Sequence, residues 1–308
     1  PPRIGDDDEG RVLAIGFGPE TRYPASVAAM AARWAGQAQP DPGLRDPELR
    51  DLIRPSPADA ARMPPPEGEH TFAEGGYTVV RRASPRGQIV LVVDHGPLGF
   101  LSIAAHGHAD VLALTLSWGD EPVLVDAGAY LYQSGGAWRD RFRGTAAHNT
   151  LRIEDADQSR IIGPFAWTDH AATRIVDQSG PGHLTAVCEG WRGRFGVAHE
   201  RRIDWSSGAE IRVEDRLAGS APRALNWASG LSLAPGCSLR IDGAVAEVET
   251  AGGRRLVIRS AQGAWQRIAS IHSPAFGHKV EIDRLELVGI LPQDGSGLVA
   301  AFTIEPKP

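Results

Sequence analysis

The sequence has little cysteine, no long apolar run and no excess of basic residues. Cys188 and Cys237 are too few for a disulfide framework, and neither lies in the C-x-x-C pattern of a thiolate zinc site. No apolar run approaches the ~18 residues that a membrane span needs, so we predict no transmembrane helix. The opening PPRIGDDDEG lacks the basic and apolar regions of a signal peptide, which we expect to be either absent or outside this chain.

The charge balance is acidic. The chain has 32 basic and 38 acidic residues, a net charge of −6. This disfavours nucleic acid as a partner, because proteins that neutralise phosphates usually carry a basic excess. An anionic substrate remains compatible, since a local arginine cluster can oppose the overall sign. With 42% apolar and 23% charged residues, the composition is that of an ordinary globular protein and excludes a disordered chain or a coiled coil.

Glycine and proline, in contrast, are plentiful: 36 and 23 of 308 residues, spread along the chain. Such spacing separates many short elements, which is typical of an all-β domain. From residue 72 the apolar pattern has a period of two. We therefore predict a mainly β fold, a large multi-stranded antiparallel β-sandwich with no strong helix after residue 72. The predicted strands are 77–82, 89–94, 100–105, 111–118, 122–126, 150–153, 184–188, 197–205, 210–216, 225–233, 238–241, 246–249, 256–259, 265–272, 279–288 and 298–304.

The first part of the chain follows a different pattern. Alanine and methionine at helical spacing predict a helix over residues 24–35, and a second short helix is predicted over 47–53. Helices this short cannot bury a core of their own, so they need a neighbouring structure. We divide the chain into a helical segment, 1–66, and a β-sandwich domain, 67–308.

Four side chains between residues 106 and 148 have the chemistry of a metal site. In an extended strand, His106 and His108 would point to the same face. Asp126 ends one predicted strand, and His148 precedes another. Two or three imidazoles with one carboxylate are zinc-type ligands. The spacing alone leaves two interpretations open, a metal site or the polar face of a strand, and it does not tell His106 from the ligands.

Two further groups of residues have both a functional and a structural interpretation. Arg139, Arg141 and Arg143 could form a clamp for carboxylate or sulfate groups, or they could lie on a solvated surface. The tryptophans of the sandwich could stack on sugars, but strand tryptophans usually belong to the core. We assign these tryptophans to the core: Trp191, Trp205, Trp227 and Trp265.

Three ordered motifs resemble the heparinase II/III-like family of polysaccharide lyases. They are HGHAD at 106–110, PVLVDAGAY at 122–130 and WRDRFRGTAAHNT at 138–150. Weaker similarities flank them, so the resemblance covers roughly residues 70 to 305. It implies a zinc held by His108, Asp126 and His148 in a mainly structural role.

The same resemblance places the other residues relative to a substrate cleft. The first histidine of the motif, His106, would face the cleft and take part in proton abstraction or in neutralising the substrate. Tyr130, Arg143 and Asn149 are candidates for lining the cleft and binding substrate, with Tyr132 a weaker one. Each also has a structural interpretation: Tyr130 in the core, Arg143 bracing a loop and Asn149 capping a turn.

The family combines an α/α toroid with a C-terminal sandwich. Residues 1–66 resemble the end of such a toroid, and GDDDEGRVL at 5–13 resembles its acidic loop. No residue there matches the toroid's catalytic tyrosine. The resemblance therefore implies that this chain is the C-terminal part of a lyase and is inactive when isolated.

The implied function is β-elimination on a uronic-acid-containing anionic polysaccharide, such as a glycosaminoglycan or alginate, by a bacterial protein. We expect a periplasmic or secreted location. Two alternatives remain open from the sequence: a non-catalytic carbohydrate-binding or scaffold module with a structural zinc, and a metal-dependent glycan hydrolase.

Overall fold

The computed structural model describes residues 4–6, 67–99, 102–208 and 210–307. The predicted helices 24–35 and 47–53 lie outside these ranges, and the division at residue 66 stays a prediction. Residues 4–6 belong to the same compact unit as the chain from Gly68 onward. Within the described residues, no helix is long and apolar enough to cross a membrane.

The regular elements of the described chain are mostly antiparallel strands, as predicted. Their bounds are β1 Gly68–Phe72, β2 Tyr77–Arg82, β3 Ile89–Asp94, β4 Leu114–Trp118, β5 Glu121–Leu124, β6 Leu151–Ile153, β7 Arg160–Gly163, β8 Ala166–Thr168, β9 Thr173–Asp177, β10 His183–Cys188, β11 Val197–Asp204, β12 Ile211–Gly219, β13 Leu225–Ser232, β14 Ser238–Asp242, β15 Val245–Glu249, β16 Arg255–Ser260, β17 Gln266–Ala275, β18 His278–Leu291 and β19 Gly297–Lys307.

The strands form three main sheets and one small ribbon. The first sheet has the order β1-β2-β3-β4-β5, and the second has the order β14-β15-β16-β19-β12-β11-β10-β9. The third sheet is β17-β18-β13-β6, and β7 pairs with β8. A bridge between Leu124 and Leu233 connects the end of β5 to the chain just after β13.

One hydrophobic core joins the three main sheets, which makes the fold a β-sandwich. In β12, residues at alternate positions turn inward, and Ile211, Val213 and Leu217 are buried. Leu91 of the first sheet and Leu285 of the third belong to the same core. The assignment of the tryptophans to this core is confirmed, because all four are buried: Trp191, Trp205, Trp227 and Trp265.

The predicted strand 100–105 is wrong. Residues 102–106 form turns, and Ala104 has a positive φ of 48°. The backbones of Gly99 and Gly107 approach so closely that a Cβ on Gly99 would lie 3.0 Å from the Gly107 Cα. Leu98, Ala104, Ala109 and Trp167 form a small separate core under this loop. The apolar run therefore packs locally and does not extend a sheet.

No strong helix is predicted after residue 72, and the described chain has only two short α-helices there, which the sequence did not indicate. A helix of seven residues, α1, runs over Ala137–Arg143, and a single turn, α2, runs over Arg192–Phe195. In α1, Arg139 and Arg143 are buried, whereas Arg141 is exposed. The helical period thus separates the alternating arginines, and they do not form a common clamp.

Candidate metal centre and cleft

His108, Asp126 and His148 meet in the interior as a candidate metal triad. Each offers one ligand atom, and these atoms lie within 4.8 Å of one another. All three residues are buried. Asp126 Oδ1 lies 2.5 Å from His148 Nδ1, and the His108 and His148 rings have centroids 5.2 Å apart. The three predicted ligands are therefore brought together, although their spacing in the sequence reaches 40 residues.

Irregular segments, and not strands, position these side chains. His108 lies in the loop before β4, Asp126 lies two residues beyond the end of β5, and His148 ends a 3₁₀ turn, Thr145–Ala147. The Arg284 guanidinium of β18 donates to the His148 carbonyl at 2.8 Å. The His272 ring of β17 bonds to the Asp126 carbonyl at 2.8 Å. The third sheet thus holds the backbone of two of the three residues.

A fourth carboxylate, that of Asp6, joins the site from the N-terminal part of the chain. Its Oδ1 lies 2.9 Å from His108 Nε2, and its Oδ2 lies 2.9 Å from His106 Nδ1. Arg139 donates to both oxygens, at 2.7 Å to Oδ2. The next residue back, Gly5, donates its N–H to Asp126 Oδ2 at 3.3 Å. Sequence reasoning missed Asp6, because it lies 100 residues before the histidines.

The charges at the site stabilise one another. Burial alone would raise the pKa of Asp126, but the His148 imidazole opposes it and the pKa falls to about 2. For His148, burial opposes protonation, yet the neighbouring Asp126 carboxylate raises its pKa above the ordinary value. The pKa of Asp6 also falls to about 2, because His108 and Arg139 outweigh its desolvation. Asp6 and Asp126 are therefore carboxylates at neutral pH.

The donor set fits a divalent cation. Within the described residues, His108 Nδ1 and His148 Nε2 are buried and have no hydrogen-bond partner, which is costly unless something binds them. Burial, and then the charge of Asp110, raise the pKa of the nearby Asp94 well above its usual value. Burial likewise raises the pKa of Asp110. A cation would bind the two ring nitrogens, and its positive charge would stabilise the buried carboxylates.

His106 lies at the surface edge of the same site. Its side chain is 47% exposed, although Asp6 beside it is only 2% exposed. The His106 ring contacts the rings of Tyr132 and Phe165, with centroids 5.7 and 5.5 Å away. Tyr132 also contacts the exposed Phe276 at 5.1 Å. We call these three residues, Tyr132, Phe165 and Phe276, the aromatic wall.

A pocket of about 350 Å³ opens next to the aromatic wall. Tyr132, Arg139 and Asp140 line one part of it, and residues 161–164 line the other. The Arg139 guanidinium lies over the rings of Tyr132 and Phe165, at 5.1 and 5.3 Å. The weaker sequence candidate, Tyr132, is thus the tyrosine that adjoins both His106 and the pocket.

Arg143 and Asn149 have structural contacts. Arg143 is buried over the Trp167 ring and donates to Asp140 and to the carbonyls of Gly163 and Pro164. Asn149 is buried, donates to the carbonyls of Leu114 and Val125, and accepts the N–H of Ser232. Both side chains brace the backbone around the site, and their predicted contact with substrate stays a prediction.

Tyr130 lies beyond the Asp126 loop in a cluster of its own. It has a positive φ of 36°, and its N–H bonds to Ser273 Oγ at 3.0 Å. Its ring contacts Trp138 and Phe142, and the Lys279 ammonium lies 4.6 Å from the ring centroid. The predicted contact of Tyr130 with substrate stays a prediction.

Gly128 offers a test of how the Asp126 loop is held. It has φ +78°, and a Cβ there would lie 2.4 Å from the Ser273 carbonyl oxygen. Its N–H bonds to Asp126 Oδ2 at 3.0 Å. We expect Gly128→Ala to lower the free energy of unfolding by about 1–3 kcal/mol. It should also weaken metal binding at the candidate triad, because the loop that carries Asp126 must move. Urea unfolding and metal titration measure both.

Gly243→Ala is the matched control for this substitution. Gly243 also has a positive φ, +56°, but open space surrounds its Cβ position. The Gly243→Ala variant should therefore show the free-energy cost of backbone strain alone, with no steric clash and no change in metal affinity. Equal effects of the two variants on metal affinity would contradict the proposed role of the close approach at Ser273.

The sequence also matches the profile of a known family. Residues 64–298 match the family described as heparinase II/III-like, C-terminal. This match covers most of the chain, and the chain therefore belongs to the heparinase II/III-like family. No curated protein that we compared matches the sequence.

Solved structures support the same fold. The heparan sulfate lyase HepC from Pedobacter heparinus superposes with a TM-score of 0.71 at 15% identity, and a mutant of it with 0.72 at 15%. A heparinase III structure, the BT4657 gene product with methylated lysines, superposes with 0.69 at 14% identity. Each comparison covers 99% of this chain but only 43% of the other chain. At these identities the likeness establishes the β-sandwich fold.

Proposed function

We propose that the protein carrying this chain is a polysaccharide lyase that cleaves a uronic-acid-containing anionic polysaccharide by β-elimination. The observation that carries the proposal is the position of His106. His106 is exposed, contacts the ring of Tyr132 that lines the pocket, and is held by Asp6 beside the buried triad, in a chain of the heparinase II/III-like family. The names of the similar structures point to heparan sulfate as the first polymer to test.

The chemistry requires a base and a means of neutralising charge. Removing the proton at C5 of a uronate puts further negative charge on a group that already carries a carboxylate. His106 is the base in our proposal and takes this proton, because a neutral imidazole has one ring nitrogen whose lone pair can accept a proton. As the C4–O4 bond breaks, a C4=C5 double bond forms, and the departing O4 takes up a proton.

The surroundings of His106 suit a sugar. The aromatic wall offers apolar ring faces and edges on which a pyranose can stack. Arg139 lines the adjoining pocket, but both of its terminal guanidinium nitrogens already donate to Asp6. We therefore assign Arg139 to holding the site in place and the aromatic wall to holding the polymer.

We also propose that the metal is zinc, held by His108, Asp126 and His148. Imidazole and carboxylate ligands are those that zinc takes in proteins. When bound, zinc would supply a fixed positive charge that balances the buried carboxylates. The residues themselves would then hold the loops of the cleft in one arrangement.

The experiment that tests the function uses the natural protein that contains this sequence, with the 308-residue chain alone as a second sample. Each is incubated with heparan sulfate, heparin, alginate and other uronate polymers. We expect the natural protein to produce the ultraviolet absorbance of an unsaturated uronate. New reducing ends without this absorbance would indicate hydrolysis. Polymer binding without any cleavage would indicate a binding module.

Elemental analysis tests the metal. We expect about one zinc per chain, and much less in His108→Ala and His148→Ala, since each loses a ligand. His183→Ala is the control, because His183 lies on β10 and pairs with Asp177 outside the triad. Removal of zinc by a chelator should also lower the melting temperature, because a ligand that binds only the folded state stabilises it. A protein with no bound metal and no response to zinc would contradict the assignment.

A periplasmic or secreted location is part of the proposal, because a polysaccharide of high molecular weight does not cross a membrane unaided. Fractionation of cells that express the natural protein tests it. Recovery in the cytoplasmic fraction alone would contradict it.

A further inference from the structure

Asp6 contacts three side chains at the site, those of His106, His108 and Arg139. Its two oxygens bond separately to the rings of His106 and His108, both at 2.9 Å, and Arg139 donates to both oxygens. The side chains of Asp6 and Arg139 are each 2% exposed. One buried carboxylate therefore connects the proposed base to a proposed metal ligand.

We propose that Asp6 is a positioning residue, whose single carboxylate sets the tautomers of His106 and His108 together. An ionised carboxylate only accepts hydrogen bonds, so the ring nitrogen that faces it carries the proton. In His106 this nitrogen is Nδ1, and in His108 it is Nε2. The two imidazoles therefore take opposite tautomers around one carboxylate.

Each tautomer is the one that the proposed function needs. With Nδ1 of His106 committed to Asp6, proton transfer by His106 must use Nε2. With Nε2 of His108 protonated, its Nδ1 has the lone pair for a metal, and that nitrogen is buried without a partner among the described residues. In other enzymes, too, a carboxylate that accepts a hydrogen bond from one ring nitrogen fixes the tautomer of a catalytic or metal-binding histidine.

The carboxylate is held rigidly enough for this role. The planar guanidinium of Arg139 meets Asp6 through two parallel donors, a geometry that fixes orientation as well as distance. Arg139 is itself anchored, since its Nε donates to the Pro164 carbonyl at 3.0 Å. A carboxylate that only occupied the place of a substrate group would need to leave easily, and the buried pair with Arg139 opposes this.

The inference rests on the proposed function for its effect on catalysis, but its central test needs no substrate. We would label the metal-free chain with ¹⁵N-imidazole histidine and record long-range ¹H–¹⁵N correlations at pH 8. His106→Gln and His108→Gln identify the signals. We expect the Nδ1–H tautomer for His106 and the Nε2–H tautomer for His108. Any other pattern in the unmodified protein overturns the proposal, whether or not a variant folds.

The variant Asp6→Asn tests the cause of this pattern. We expect both tautomers to change or to become mixed, and zinc affinity to fall roughly 10–100-fold. In the natural protein, kcat should fall by a similar factor with KM little changed. The matched control is Asp283→Asn, which breaks another two-point pair of aspartate with arginine, that with Arg267 on β17. It should leave the tautomers and the zinc affinity unchanged.

The outcomes separate this proposal from its alternatives. Unchanged tautomers in Asp6→Asn would show that Asp6 has only a structural role. A rise in activity would show that Asp6 blocks the site in place of a substrate group. If the natural protein cleaves no polymer, the proposed function fails, and the tautomers and the zinc affinity still decide the role of Asp6.

Discussion

Replacing His106 with alanine is expected to lower lyase turnover about 10²–10⁴-fold, the usual contribution of a general base. The C5 proton would then have only solvent as an acceptor. Polymer binding should stay nearly unchanged, because the aromatic wall remains. The measurement is the initial rate of ultraviolet absorbance in the natural protein, with binding measured separately on the same polymer.

The exposure of His106 makes this variant informative. A side chain that is 47% exposed contributes little core packing, so the variant should fold. His70→Ala is the control, because His70 is an exposed histidine on β1, outside the site. A His106→Ala protein that kept more than about a tenth of its turnover would exclude His106 as the base. Loss of polymer binding in parallel with turnover would assign His106 to substrate binding.

Replacing Asp215 with asparagine is expected to lower the free energy of unfolding by about 3–5 kcal/mol, as is usual when one partner of a buried ion pair is removed. Asp215 lies opposite Arg201 in the β11–β12 pair and is fully buried. It accepts two bonds from Arg201, at 2.6 and 2.9 Å, and one each from His199 and Ser229. Asparagine would leave the Arg201 charge buried without an opposing charge.

This network also supports the candidate site. Arg201 donates to the carbonyls of Leu112 and Asn149, each at 2.7 Å. Asn149 directly follows His148 of the candidate triad, and Leu112 lies in the loop that leads from His108 into β4. We therefore expect Asp215→Asn to weaken zinc binding as well as folding.

Urea unfolding measures the change, and Asp283→Asn is the control. Asp283 forms the same two-point pair with Arg267, but that arginine lies at the surface. Water screens an exposed pair, so its loss should change stability far less. Equal losses in the two variants would show that burial does not determine the strength of the Asp215 pair.

Asp215 also makes the stability of the folded protein depend on pH. Arg201 and His199 overcome the desolvation of Asp215 and hold its pKa well below its ordinary value. A group with a lowered pKa stabilises the folded state above its unfolded pKa, about 3.9 for aspartate, and this contribution is lost as the pH falls. Stability should therefore decrease below about pH 5, and less steeply in Asp215→Asn.

The sequence predicted most of the sandwich because its signals are local. Alternating apolar residues identified β2 and β3 with their observed bounds and most later strands within a few residues. The loop at residues 102–106 was mistaken for a strand, since its apolar residues pack under a turn against Trp167. The helix α1 was missed because seven residues with three arginines carry only a weak apolar pattern.

The same contrast holds for the candidate site. The ordered motifs from residue 106 to 150 identified the family, which the profile match confirms, and they singled out the residues of the triad. No strand holds the His-x-His pair, so strand alternation does not explain its geometry. The sequence also did not indicate that Arg143 and Asn149 are buried, because their burial depends on contacts with residues 163–164 and with Ser232.

By itself, the sequence determined the fold class, the family and the residue types of a metal site, because each depends on local alternation or on motifs that stay in order along the chain. Only the tertiary structure decided how these residues act together. It brought Asp6 to histidines 100 residues away, exposed His106 beside the aromatic wall and placed Arg139 behind the carboxylate. Such contacts depend on the folding of distant segments onto one another, and no local pattern records them.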